Sequence, residues 1–185
     1  MNRLILRALN APGLIFIAII AVALQSSLFQ FEWIAPFQPD LLLFLVIWMA
    51  LKRDFTEGGV MTLMLGYLAE TQSAAPQGLF LTLYMTLYLL IRFFNKVMLI
   101  WTWLPLTVSM TAFMKLELLI ILRLLDVSAQ AWHHLLFYLV PQIMIHAILV
   151  KPLYRSLARY DIVTYKDLAT IQAIESGLQP EDEGL

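Results

Sequence analysis

Apolar positions gather into six runs separated by short polar segments, at about 13–29, 36–51, 57–70, 78–95, 98–125 and 131–154, and each run predicts a helix. Two of the six are short. "LLLFLVIWMAL" (41–51) and "GGVMTLMLGYLA" (58–69) hold 11 and 12 residues, whereas a helix crossing a bilayer needs ~20. They cross if Phe37 and Asp40 extend them on one side and Thr56 and Glu70 on the other. Otherwise they form a re-entrant pair, which protein neighbours must shield because lipid satisfies no backbone group.

Charge placement decides between these. Arg3 and Arg7 precede the first run, Lys52 and Arg53 separate the second and third, and Arg92 and Lys96 separate the fourth and fifth. Lys151, Arg155, Arg159 and Lys166 follow the sixth, while segments 30–40, 70–78 and 126–132 contain no Lys or Arg. Basic residues accumulate on the cytoplasmic side of membrane proteins, so this alternation predicts six spans with both termini cytoplasmic. A re-entrant hairpin would instead bury Lys52 and Arg53 in the membrane at high cost. Trp33 and Trp132 then fall at the outer interface, and Trp48, Trp101, Trp103 and Tyr154 near the inner one, as anchoring aromatics.

Composition agrees with lipid as the solvent. The chain of 185 residues is 61% hydrophobic and 14% charged, with a mean hydropathy of +0.80; one soluble core could not hide so much apolar surface. The formal net charge of −1 gives no general attraction to nucleic acid. The absence of cysteine excludes disulfides and thiolate chemistry. The N-terminus resembles a secretion signal, with "AVA" at 21–23 as a cleavage site, but apolar character continues to Phe29 and a retained anchor is expected. Residues 1–160 read as one transmembrane domain. Residues 161–185 read as an acidic cytoplasmic tail, with Leu168, Ile171 and Ile174 spaced for a short helix before a solvated end.

Polar residues inside spans are functional suspects by default. Lys115 and Glu117 are two apart and point about 200° away from each other, so each needs a separate partner. Either they join a buried polar network, or the fifth helix emerges early and leaves Glu117 and Arg123 in the outer interface. His133 and His134 are adjacent and cannot both ligate a metal from one helix face, so no metal site is expected. His146 lies between Pro141 and Pro152, two helix-shaping residues, and is expected to hydrogen-bond a neighbouring helix; Glu117 is the only acid suited to a proton relay with it. No nucleophile motif, phosphate-cradling loop or useful carboxylate pair is present. The reading is therefore non-enzymatic and without cofactor. In the third run Gly59 and Gly66 share a face two turns apart, with Glu70 one turn further. Such small-residue faces let another helix approach closely.

The stretch "PDLLLFLVIWMALKRDFTEGGVMTLMLGYLAETQSAAPQGL" resembles the rod shape-determining protein MreD family of bacterial inner-membrane proteins. Pro39, Lys52, Arg53, Glu57, Gly58, Gly66, Glu70, Ser73, Pro76 and Gly78 match the family's order: proline-led helix, basic turn, glycine-containing helix, acid, and a Ser-x-x-Pro-x-Gly turn. "PQIMIHAILVKPLY" matches its C-terminal pattern through Pro141, His146, Pro152 and Tyr154. Two residues depart from it: Glu70 stands where Asp is usual and His146 where Asn is usual. The likeness covers about residues 10–160.

The resemblance implies a compact six-helix bundle similar to the substrate-binding subunits of energy-coupling-factor transporters. It also implies a multi-pass inner-membrane component of the cell-elongation machinery, binding MreC and coupling the MreB filament and the RodA-type synthase complex to peptidoglycan synthesis. Gly59, Gly66, Glu70, Ser73, Pro76 and Gly78 are the expected partner-packing residues. The competing expectation, kept alive by the same fold, is a small-molecule-binding transporter subunit with an outer cavity lined by Glu70, Glu117 or His146.

Overall fold

The computed structural model describes residues 2–28, 37–73, 76–97, 103–124 and 129–164. Trp33, Trp101 and the tail from 165 onward lie outside the described residues, as do the side chains of Trp132, His133 and His134. The described residues form six helices and no strand: α1 (Asn2–Leu28), α2 (Leu41–Lys52), α3 (Phe55–Thr71), α4 (Leu79–Val97), α5 (Trp103–Leu124) and α6 (Ala129–Thr164). Windows at Asn10–Ser27, Trp103–Ile121 and Phe137–Thr164 are long and apolar enough to cross a membrane.

Two helices outrun their expected bounds. α1 starts at Asn2 and passes through Pro12, while α6 passes through Pro141 and Pro152 and ends ten residues beyond the apolar run. Where side chains are described, both helices carry a buried stripe at helical spacing. Asn10, Leu14, Ala18 and Val22 line one face of α1; His146, Val150, Tyr154, Leu157 and Asp161 line one face of α6. Residues 161–164 therefore continue α6, with Asp161 buried, whereas the sequence assigns them to the acidic tail.

α2 is the core. Its 12 residues span about 18 Å, less than the ~30 Å hydrocarbon layer, yet Leu42 through Ala50 are all buried. It packs against each of the other five helices. A helix apolar on every face belongs inside protein, which explains how a run too short for lipid forms a stable helix here. Successive helices reverse direction: Asn10, Arg53 and Asp161 meet at one end, whereas Asp40, Tyr84 and His146 meet at the other. We call the first the basic end, since the Lys52–Arg53 turn lies there.

The face of α3 that carries Gly59, Gly66 and Glu70 packs on α4. A Cβ built at Gly66 falls 2.9 Å from the Leu81 Cα, closer than real contacts allow, so the two backbones touch there. Gly58 is as tight, with the Met49 carbonyl at 3.0 Å and the Tyr88 hydroxyl at 2.9 Å, but Gly59 has ordinary room, 3.8 Å from the Tyr88 ring. Gly78 opens α4 with φ of +88°, a conformation for which glycine is suited.

Alanine substitutions separate these roles. Gly66→Ala is expected to destabilise the protein by about 1–3 kcal/mol through overpacking against backbone. Gly59→Ala, which only gains helix propensity, is expected to be neutral or stabilising by up to ~1 kcal/mol. Thermal unfolding of the purified protein in detergent micelles measures both.

Candidate functional site

A buried helix must satisfy its terminal N–H and C=O groups without water, and at both ends of α2 other helices supply the partners. At the N-terminus Asp40 is the cap: its Oδ1 accepts from the Leu43 N–H at 3.1 Å. Tyr84 of α4 donates its hydroxyl proton to the same carboxylate, 2.9 Å from each oxygen. The Asp40 N–H donates to His146 Nε2 at 2.8 Å. Because Nε2 accepts, a neutral His146 carries its proton on Nδ1, which donates to Thr111 Oγ1 at 2.8 Å. Thr111 in turn donates to the Thr107 carbonyl at 2.7 Å. His146, 1% exposed, thus ties α6 to α5 and to the entry of α2.

At the basic end Arg53 folds inward, its side chain 0% exposed. One guanidinium nitrogen donates to Asp161 Oδ1 and to Asn10 Oδ1, each at 2.6 Å. Trp48 Nε1 donates to the other Asp161 oxygen at 2.9 Å. Arg92 from α4 donates to the Arg53 carbonyl and, through Nε, to the Tyr88 hydroxyl at 3.3 Å. Tyr88 passes its own proton to the Phe55 carbonyl at 2.8 Å. Four helices and the α2–α3 turn are thereby joined through one buried ion pair. The sequence reads Lys52 and Arg53 as equivalent topogenic charges; the structure separates them, with Lys52 exposed and Arg53 buried.

The expected site residues fall in different places. Glu70 accepts from the Leu81 N–H at 3.2 Å, so it caps the first turn of α4 from outside the helix. The Ser73 N–H donates to the Glu70 carbonyl at 3.1 Å, and Pro76 accepts from the Leu79 N–H at 3.2 Å, so the turn is organised around the α3–α4 hairpin. Lys115 and Glu117 do diverge. Lys115 lines a cavity shared with Asp40, and Glu117 lies outside that lining. Among the described residues His146 bonds Asp40 and Thr111, not Glu117. Trp48 is no lipid anchor: it is 4% exposed and stacks on Trp103 at 5.7 Å between centroids.

The cavity at the end opposite the basic one has a volume of about 430 Å³ and is walled by Asp40, Tyr84, Lys115, Gln142, Gln25 and Gln72 among others. Its polar residues differ from those expected. Glu70 and Glu117 do not line it, and His146 sits behind Asp40. The cavity exists because α2 begins late: Phe37 to Asp40 are not α-helical, so the capped helix end forms its floor. Sequence reasoning missed Asp40, Arg53 and Asp161 as a group. Asp40 carried a signal, since an Asp directly before an apolar run is a helix cap. Asp161 carried another, the continuing spacing of the α6 stripe.

Compared with protein-family models, curated proteins and solved structures, the chain matches none. The fold and site define a class: the described residues are all-helical, with three helices long and apolar enough to cross a membrane, built around a central capped helix.

The ion pair gives a sharp test. Arg53→Met or Asp161→Asn alone leaves a buried group without its counter-ion and is expected to cost about 3–5 kcal/mol. Arg53→Met combined with Asp161→Leu is expected to cost far less than the sum, revealed by a double-mutant cycle on thermal midpoints.

Proposed function

We propose that this chain is a non-enzymatic, MreD-like component of the bacterial cell-elongation machinery. In this reading it is a six-span protein of the inner membrane with both termini cytoplasmic. It binds MreC and helps couple the MreB filament and RodA-type synthases to rod-shaped growth. The motif order from Pro39 to Gly78 supports it, as does the reversal of direction that gathers the basic turns at one end of the bundle.

The observation that carries the reading is an apolar groove of about 500 Å³ on the membrane-facing side, walled by Ile15, Ile19, Leu63, Met64, Tyr67 and Leu68. It runs between α1 and α3, and Ile19, Leu63, Met64 and Tyr67 are exposed by 40–65%. Packing against such a surface in lipid is governed by shape and close contact between helices. The glycine face itself is occupied by α4, so the partner helix belongs in this groove, beside the 70–78 turn. Glu70, Ser73, Pro76 and Gly78 then shape the outer rim of the contact.

A second reading, a small-molecule-binding transporter subunit, is favoured by one observation: Asp40 and Lys115 present opposite charges in one cavity, with a buried Gln142 Oε1 lacking a hydrogen-bond partner among the described residues. Polar groups converging in a concave site are the usual mark of a ligand pocket.

Cysteine crosslinking distinguishes the two. Cysteines at Ile19, Met64, Tyr67 and Ser73 are expected to crosslink to the membrane helix of MreC, whereas cysteines at Phe137, Met144 and Ile148 on α6 are not. The reverse pattern defeats the first reading. Under the second, small zwitterionic solutes raise the thermal midpoint of the wild type and fail to do so for Lys115→Met.

A further inference from the structure

A second cavity, about 440 Å³, opens at the basic end between α2, α5 and α6. Its floor is aromatic. Trp103 lies 4.2 Å from Tyr154 and 5.7 Å from Trp48 between ring centroids. Its rim is cationic: Lys52 from α2, and Lys151 and Arg155 from one face of α6. All three are exposed, and Lys52 stands 5.7 Å over the Trp103 ring. The one acid in the described wall, Asp161, has its charge matched by Arg53 on the far side, so the described lining offers the three cations no other carboxylate. Val150, Ala158 and Ile162 complete the lining.

We propose that this cavity binds the headgroup of an anionic phospholipid, with the phosphate held by Lys52, Lys151 and Arg155. The chemistry is specific to an amphiphile. The cations recognise an anion, but a free phosphate gains nothing from Trp48, Trp103, Tyr154, Val150 and Ile162. A phosphate joined to glycerol and acyl chains uses both surfaces at once, and basic pockets between membrane helices on the cytoplasmic side suit such headgroups. Tryptophan and tyrosine prefer the same depth of the bilayer. The inference rests on the reading that the basic end faces the cytoplasmic leaflet; it does not depend on MreC.

The test uses the full chain with Trp33, Trp101 and Trp132 changed to Phe, so that Trp48 and Trp103 report. Reconstituted in phosphatidylcholine nanodiscs, the protein is titrated with acyl-brominated phosphatidylglycerol or acyl-brominated phosphatidylcholine, and tryptophan quenching is recorded. Phosphatidylglycerol is expected to quench at roughly tenfold lower mole fraction than phosphatidylcholine. Lys52→Gln, Lys151→Gln and Arg155→Gln together should bring the two lipids within about twofold of each other, because the cavity then holds no cation that favours the anionic headgroup. The matching Lys52→Arg, Lys151→Arg and Arg155→Lys variant should keep the preference. Equal quenching by both lipids in the parent protein overturns the proposal. So does an equal loss from Arg159→Gln, which removes a charge outside the cavity and would reveal only a general field. Full reversal by millimolar inorganic phosphate would mark a free-anion site and overturn the lipid assignment. No arm contains MreC, so failure here leaves the partner reading standing, and failed crosslinking leaves this one standing.

Discussion

One constraint organises this molecule: its most buried helix has two polar ends, and neither can be left to water. α2 runs through the middle of the bundle with apolar side chains on every face, so its end groups would be costly if unsatisfied. Asp40 and His146 meet the need at one terminus. At the other, Arg92 donates to the Arg53 carbonyl while the Arg53 side chain turns to Asp161 and Asn10. The partners come from α1, α4 and α6, so satisfying α2 also fixes how those helices stand around it. Apolar packing alone would permit sliding and rotation; these directional bonds choose one register.

The same constraint accounts for features that otherwise look unrelated. α6 continues past its apolar run because Asp161 must reach Arg53. Asn10 sits on the buried stripe of α1, where an apolar residue would be expected, because the guanidinium needs a neutral acceptor beside its carboxylate. Tyr84 and Tyr88, both fully buried, each place a hydroxyl at one end of α2: the first on Asp40, the second on the turn that follows Arg53. One turn of α4 separates them, and α4 therefore holds α2 by polar contacts from one end toward the other. The hairpin of α3 and α4 is secured separately, by backbone contact at Gly66 and the Glu70 cap.

Much of this was legible before any coordinates. The six helices follow from apolar runs, and the Gly59–Gly66–Glu70 face follows from helical spacing, which also explains why it faces a neighbouring helix. Two kinds of information were missing. Counting Lys and Arg as topological signals treats Lys52 and Arg53 alike, although a guanidinium forms forked bonds and tolerates burial better than an ammonium. Pairing across 108 residues is also invisible to local patterns. Asp161 looked like the first acid of an acidic tail because composition changes there, while the buried periodicity of α6 had not yet ended. Asp40 was read only as an extension of a short helix, when its position immediately before "LLLF" marks where that helix begins.

The two ends of α2 are satisfied in different ways, and this makes the bundle asymmetric. At the Asp40 end the capping groups border a polar cavity, so they are within reach of whatever enters it. At the Arg53 end the ion pair is packed beneath Trp48 and closed off from the cavity at the far side by nine consecutive buried apolar residues. No polar path joins the two through α2, since a charged or hydrated species would have to cross that apolar stretch. The same geometry also places the two polar-walled cavities at opposite ends of α2.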